Sequence, residues 1–401
     1  MGGGDLKGTT YPESMPERPI TVTFQHRVLF TRDVFARGNA TLPSLLGDDS
    51  GKVLVCLDSA VAAAYPELTT QIAEFLKAET GLALGGEVLI LPGGEAAKND
   101  FALVEKIWSA IDEAALDRHS YVFAIGGGAI LDLVSFAAST AHRGIRHVRF
   151  PTTTLSQGDG GVGVKNGVNW GGKKNWVGTF TVPFAVVSDF AFLDRLPQPA
   201  RRAGIIEAIK VALVRDATFY EFIESNADGL AKLEQGILEQ VVERSAEVHV
   251  EHIASGGDPF EHGSARPLDF GHWAAHKLEQ VSDFRIGHGD AVAIGIALDL
   301  VYSRRIGLLD EATCERILSL IRGIGFPTYA AELVEETDSG EPVILEGLEE
   351  FREHLGGELN VTLVPTIGTK LEVHEMDRQV ILESMEELGR HQSSPRLADA
   401  S

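Results

Sequence analysis

Cysteine is nearly absent: two occur in 401 residues, Cys56 inside the apolar run Val53 to Leu57 and Cys314 in a stretch of helical periodicity. So low a count excludes a disulfide framework, and neither position has metal or redox spacing, so both read as reduced core residues of a cytoplasmic protein. Basic charge is also scarce. Lys and Arg total 35 against 58 Asp and Glu, a formal charge of -23, which disfavours nucleic acid and anionic membranes as partners. An anionic small molecule would need a local basic pocket. No apolar run approaches the roughly 18 residues needed to span a bilayer. Met1 to Arg18 lacks the apolar stretch of a secretory signal, and Leu6 stands where a myristoylation motif requires Ser or Thr. Residues 1–20 are expected to be a flexible N-terminus and 391–401 a disordered tail.

What is present is 44% hydrophobic residues on a length suited to two domains. From Val53 to about Asp189, short apolar runs alternate with segments of helical period, the signature of a parallel sheet with crossover helices. The runs are Val53 to Leu57, Val88 to Leu91, Tyr121 to Ile125, His147 to Phe150 and Ala185 to Ser188. Phe101 to Leu116 sets Phe101, Val104, Ile107, Trp108 and Ile111 on one helical face. Beyond about Phe192 long helical stretches dominate, such as Arg202 to Val214, Leu233 to Ala254 and Asp290 to Arg304. The expected fold is an α/β, Rossmann-like dinucleotide-binding domain over 21–190, followed by a mainly α-helical metal-binding domain over 191–390.

Three loops follow strands at the edge where open α/β sheets bind ligands. Gly126-Gly127-Gly128 precedes a helix whose free N–H groups can hold a pyrophosphate. Asp58 follows the first strand, where a carboxylate can take ribose hydroxyls or simply cap a helix. The third loop, Gly93 to Lys98, contains Glu95 and Lys98. The glycine spacing departs from the common dinucleotide fingerprint and alone also suits a plain turn. Pro151 to Asn175 reads as too glycine-rich for a packed element, and its lysines make a local anion site. In the helical half, His272 and His276 share a helix face, His288 precedes another helix, and Glu207 lies in Gly204 to Lys210. One Glu and two His suit a divalent metal with open positions, although an i,i+4 histidine pair is also common without one.

In order and near-spacing these motifs resemble the 3-dehydroquinate synthase superfamily of sugar phosphate cyclases, from about Asp58 to His288. The resemblance rests on Gly126 to Asp132, Ala141-His142-Arg143-Gly144, Pro151-Thr152-Thr153, Asp159 to Lys165, Gly172 to Asn175, the Gly-x-x-Glu-x-x-Lys of 204 to 210, and the histidine motifs. It implies NAD held by Asp58, Glu95, Lys98, Gly127, Gly128, Asp132, Thr152, Thr153 and, at the nicotinamide side, Lys174. It implies zinc or cobalt held by Glu207, His272 and His288. Phosphate binding and proton transfer are implied for Asp159, Lys165, Lys210, Asn175 and His276, with Arg143 supplied by the second subunit of a homodimer. The implied reaction on a small-molecule sugar phosphate is transient oxidation, phosphate elimination, re-reduction and intramolecular aldol closure.

The departures concern the substrate. Dehydroquinate synthases read a carboxylate with a lysine, an arginine and an asparagine. Here His249 or His252 falls at the lysine, Ala265 at the arginine and Asp269 at the asparagine. Arg266 would serve after a one-residue shift. Arg266-Pro267 before Phe270-Gly271-His272, together with Gly163 to Asn169, looks more like the cyclases that make C7 cyclitols from sedoheptulose 7-phosphate. Retention of His276 points to the 2-epi-valiolone branch rather than the 2-epi-5-epi-valiolone branch. A metal-dependent polyol dehydrogenase, dehydroquinate synthase itself and a non-catalytic homologue are the alternatives. The dehydrogenase would have no need of Lys165, Lys174 and Asn175.

Overall fold

The computed structural model describes residues 18–256, 258–260, 268–337, 340–354 and 357–393. Most of the expected flexible N-terminus, the tail from residue 394, and Ala265, Arg266 and Pro267 lie outside them. Residues 18–20 are exposed and irregular, and a C-terminal helix, Arg378–Ser393, runs into the stretch expected to be tail.

Seven strands form one parallel sheet in the order β1-β9-β6-β5-β2-β3, with β4 also beside β2. They are β1 Val28–Thr31, β2 Lys52–Asp58, β3 Ala83–Leu84, β4 Leu89–Leu91, β5 Tyr121–Gly126, β6 Arg146–Pro151 and β9 Ala185–Asp189. β5 is buried at every residue and β2 at all but its first, which is why these strands read as unbroken apolar runs rather than alternating ones. Helix Phe101–Glu113 buries Val104, Ile107 and Ile111 as its periodicity predicts, and is capped by Asp100 accepting from the Ala102 N–H. It stops short of Leu116 because Ala115 turns to φ 49°.

Two expectations need correction. β1 and the short β3 carry too little pattern to be picked out. The glycine-rich segment also contains packed structure: β7 Lys165–Trp170 and β8 Lys173–Phe180 form an antiparallel hairpin after a single turn of π-helix, Ser156–Gly160. Its glycines are there for close approach. A β-carbon on Gly167 would stand 2.7 Å from the Val177 oxygen, and one on Gly178 would stand 2.5 Å from the Asn166 oxygen.

Helices follow β9: Gln198–Arg215, Gln235–Ser255, His272–Val281 and His288–Arg305 are those that carry the site. Gln198–Arg215 begins four residues before the stretch expected from Arg202, Gln235–Ser255 begins two residues after the expected Leu233, and His288–Arg305 begins two residues before the expected Asp290. Their shared core includes Ile206, Leu213, Trp273, Leu278, Ile296 and Leu300. A small antiparallel pair, Val361–Leu363 with Leu371–Val373, also lies in this half.

Candidate active site

Three helices converge on Glu207. Gly204 packs its backbone on Thr154, the Gly204 N–H donating to Thr154 Oγ1 at 3.0 Å, with Glu207 about one turn and Lys210 nearly two turns further along the helix. Helix His272–Val281 opens from Gly271 at φ 77°, a conformation that favours glycine. Buried Asp299 fixes that opening by accepting from the Gly271 N–H at 3.0 Å and from Trp273 Nε1 at 2.9 Å. His288 is the first residue of its helix.

Glu207 Oε1 lies 3.2 Å from His288 Nε2 and 3.8 Å from His272 Nε2. One ligand atom from each of the three residues lies within 4.8 Å of the others. Glu207 is 2% exposed, and neither carboxylate oxygen has a well-formed hydrogen bond. The Lys210 Nζ also lies 2.5 Å from Oε2. Burial would raise this carboxyl, yet Lys210 holds it below its ordinary value. Each imidazole turns Nδ1 to an acceptor, the Phe270 oxygen for His272 and Glu279 Oε2 for His288, both at 3.2 Å. That leaves each Nε2 free to ligate. The donor set therefore fits a divalent cation. The His276 ring lies 5.3 Å from that of His272 and 6.3 Å from that of His288. Burial and the neighbouring His272 push its pKa well down, so it is a neutral imidazole.

Beside this set lies a second network. Asp159 accepts from Lys210 Nζ at 3.2 Å through Oδ2 and faces His249 Nε2 at 3.1 Å through Oδ1. His249 Nδ1 meets the Ser245 oxygen at 2.9 Å. Both ring nitrogens thus face acceptors, the arrangement of an imidazolium. Burial opposes that charge, but Asp159 overrides it and raises the His249 pKa. Reciprocally, burial would raise Asp159 while His249 and Lys210 hold it well below the usual carboxylate range. His252, the other candidate at this position, turns Nδ1 to Arg215 at 2.7 Å instead. Burial would lower the Lys210 pKa, but Asp159 and Glu207 raise it, with a smaller push in the same direction from the charge of Asp269.

At the C-terminal edge of the sheet, Gly127 and Gly128 open helix Gly128–Thr140. A β-carbon on Gly128 would meet nothing within 4 Å, and one on Gly127 would meet Thr153 Cγ2 at 3.5 Å. No side chain caps this helix start, and the two glycines leave room beside it, which suits a dinucleotide pyrophosphate. Thr152 and Thr153 adjoin it, the Thr152 N–H donating to the Gly126 oxygen. Lys98 is 2% exposed and internally engaged: Nζ pairs with Asp132 at 2.8 Å, donates to Asn175 Oδ1 and lies 3.7 Å from Glu95. Asp58 caps helix Ser59–Ala64 by accepting from the Ala60 N–H, so the plainer reading of its position describes its geometry. It also lies against Gly93, where a β-carbon would stand 2.4 Å from Asp58 Oδ1.

The structure does not bring Arg143 to this cluster. It is exposed, at φ 64°, beyond the far end of the 13-residue helix Gly128–Thr140, about 20 Å from the glycine loop. Lys165 begins β7, and Lys174 Nζ on β8 reaches Glu279 Oε2 at 3.6 Å.

Sequence reasoning missed two residues. Glu279 follows His276 by three positions on the same helix face, a spacing that could have flagged it. Arg149 is a charge in the middle of β6, flanked by Val148 and Phe150. It is fully buried and donates to Ser135 Oγ and to the carbonyls of Gly161, Gly163 and Lys165, at 2.8 to 3.3 Å. It thus shapes the loop that carries Asp159 and Lys165.

The family models of the 3-dehydroquinate synthase N-terminal and C-terminal domains match residues 88–203 and 204–340. A 3-dehydroquinate synthase of Pyrobaculum islandicum is 35% identical over 301 residues, 74% of this chain and 85% of the relative. A 2-epi-5-epi-valiolone synthase of Streptomyces glaucescens is 38% identical over 240 residues, 60% of this chain and 61% of the relative. Among solved structures, the 2-epi-5-epi-valiolone synthase of Streptomyces hygroscopicus subsp. jinggangensis, with NAD+ and Zn2+ bound, superposes with a TM-score of 0.82 at 28% identity, covering 94% of this chain and 99% of that one.

Proposed function

The chain belongs to the 3-dehydroquinate synthase family and is an NAD- and metal-dependent sugar phosphate cyclase, and we propose that its substrate is sedoheptulose 7-phosphate, closed to a C7 cyclitol of the 2-epi-valiolone type. The observation that carries this reading is the pairing of His249 with Asp159. Where the resemblance places a carboxylate-reading lysine, this chain sets a cation whose Nε2 is already engaged by a carboxylate, with Asp269 adding further negative charge nearby. A substrate carboxylate would be repelled here, whereas an uncharged hydroxymethyl group would find donors and acceptors.

When bound, NAD supplies reversible hydride transfer and the metal polarises a substrate oxygen. The chain's own residues do the rest. Glu207, His272 and His288 hold the metal, and Lys210 counters the charge of Glu207 and Asp159. Asp159 and neutral His276 are placed to accept and return protons. Lys165, Lys210 and Asn175 take the phosphate, with Arg143 of a second subunit completing the cradle in a homodimer. Loss of phosphate is favoured where cations are already positioned for the leaving dianion. The closing aldol step gains because both reacting carbons stay in one site.

A second reading, 3-dehydroquinate synthase, is favoured by the relative that is 35% identical and 85% covered. Product analysis tests the cyclase reading. Sedoheptulose 7-phosphate incubated with the protein, NAD+ and zinc should give one inorganic phosphate per carbocyclic product by NMR. Accumulation of NADH without phosphate release would instead mark a dehydrogenase.

A further inference from the structure

We propose that Glu279 is a positioning residue of the metal centre: it orients His288 for ligation and ties it to the hairpin that carries Lys174. The inference rests on reading Glu207, His272 and His288 as a metal set. His288 Nδ1 stands 3.2 Å from Glu279 Oε2, and its Nε2 stands 3.2 Å from Glu207 Oε1. A carboxylate oxygen accepts, so the proton belongs on Nδ1 and the Nε2 lone pair points where a metal would sit.

The two histidines differ in this respect. His272 turns Nδ1 to a neutral carbonyl, that of Phe270, while His288 faces a full negative charge. A carboxylate partner makes the imidazole a stronger donor and fixes its ring more firmly. Glu279 is itself buried, at 7% exposure, near the C-terminal end of its helix, one residue after buried Leu278. A carboxylate buried there is costly unless its neighbours compensate. The compensation comes from His288 and from Lys174, whose Nζ lies 3.6 Å from the same oxygen, Oε2. Lys174 belongs to β8, after the glycine turn of the hairpin, whereas Glu279 and His288 belong to the helical half. One carboxylate oxygen thus joins a metal ligand to the strand that follows the dinucleotide loops, so metal binding should quiet that hairpin.

The test measures zinc affinity by competition with a chromophoric chelator, and amide exchange across Lys173–Phe180 with and without zinc. Glu279→Leu should weaken zinc binding 10- to 100-fold and abolish any slowing of hairpin exchange by zinc. Glu279→Gln keeps the shape without the charge and should fall between Glu279→Leu and the parent protein. It also serves if the leucine variant does not fold. Zinc affinity within twofold of the parent in both variants would overturn the inference while leaving the metal set intact. Hairpin exchange that is equally zinc-sensitive in parent and variants would overturn the tie to Lys174. A parent protein that binds no zinc would overturn the metal set itself and this inference with it.

Discussion

Gly295 lies directly beneath the carbonyl of Gly271: a β-carbon added to Gly295 would stand 2.0 Å from the Gly271 oxygen. Helices His272–Val281 and His288–Arg305 therefore meet backbone to backbone next to His272 and about two turns into the helix that His288 opens. Gly295→Ala should force them apart. The expected cost is about 3 kcal/mol or more of unfolding free energy, read as a drop in the urea midpoint. Zinc binding should weaken in the fraction that remains folded, because His272 and His288 ride on the displaced helices. A fully stable, zinc-competent alanine variant would show that the contact is slack.

Asp299 gives the molecule a pH signature. Burial pushes its carboxyl up from 3.8 to about 7, although Trp273 and Gly271 donate to it and pull the other way. The folded state therefore keeps a proton that the unfolded chain releases. This group's contribution to stability is full in acid and is lost as pH rises through that window, levelling off above about pH 7. In Asp299→Asn that slope disappears. Relative to the parent, the variant should gain on the order of 3 kcal/mol between about pH 5 and pH 8 in urea titrations. Parallel curves for the two proteins across that range would contradict the assignment.

Arg149 holds three alternate carbonyls of the segment 161–165 and a serine of the dinucleotide-side helix. Burial pulls its pKa down to about 10, against an upward push from Asp132, so it stays charged at neutral pH. Arg149→Met would strand those acceptors at about 1–3 kcal/mol each. Turnover should fall at least about tenfold at a temperature where the variant is still folded, because the loop bears Asp159 and Lys165. Arg149→Lys, with charge but no fork, should recover stability more than turnover.

Lys165→Ala tests the phosphate cradle. The fold should survive, since the side chain is exposed at the start of β7. Phosphate release should fall by about 100-fold or more, as when a charged transition-state contact is removed. Near-normal release would remove Lys165 from the cradle.

How much of this was legible in the sequence follows from burial. Strands with both faces covered, such as β2 and β5, announced themselves as apolar runs, and the long helices showed their period. The β7–β8 hairpin did not, because glycines placed for close strand approach look like glycines of a loop. The ligand candidates Glu207, His272 and His288 were readable from residue type and spacing. Glu279 was not recognised because a single glutamate on a helix ordinarily faces water. Whether His249 or His252 faces the site was undecidable from sequence, since three residues on a helix turn a side chain by less than a full circle and only packing selects the face. In the fold, Ser245 and Asp159 take one and Arg215 takes the other. Arg143 illustrates the opposite limit: its place in the motif order was plain, yet it lies far from the site of its own chain.

The most direct test of the substrate assignment is phosphate release by the purified protein with NAD+ and zinc or cobalt, comparing sedoheptulose 7-phosphate with 3-deoxy-arabino-heptulosonate 7-phosphate. The Asp159–His249 pair predicts turnover of the first and little or none of the second. Turnover of the carboxylate substrate alone would contradict that account and make the chain a dehydroquinate synthase.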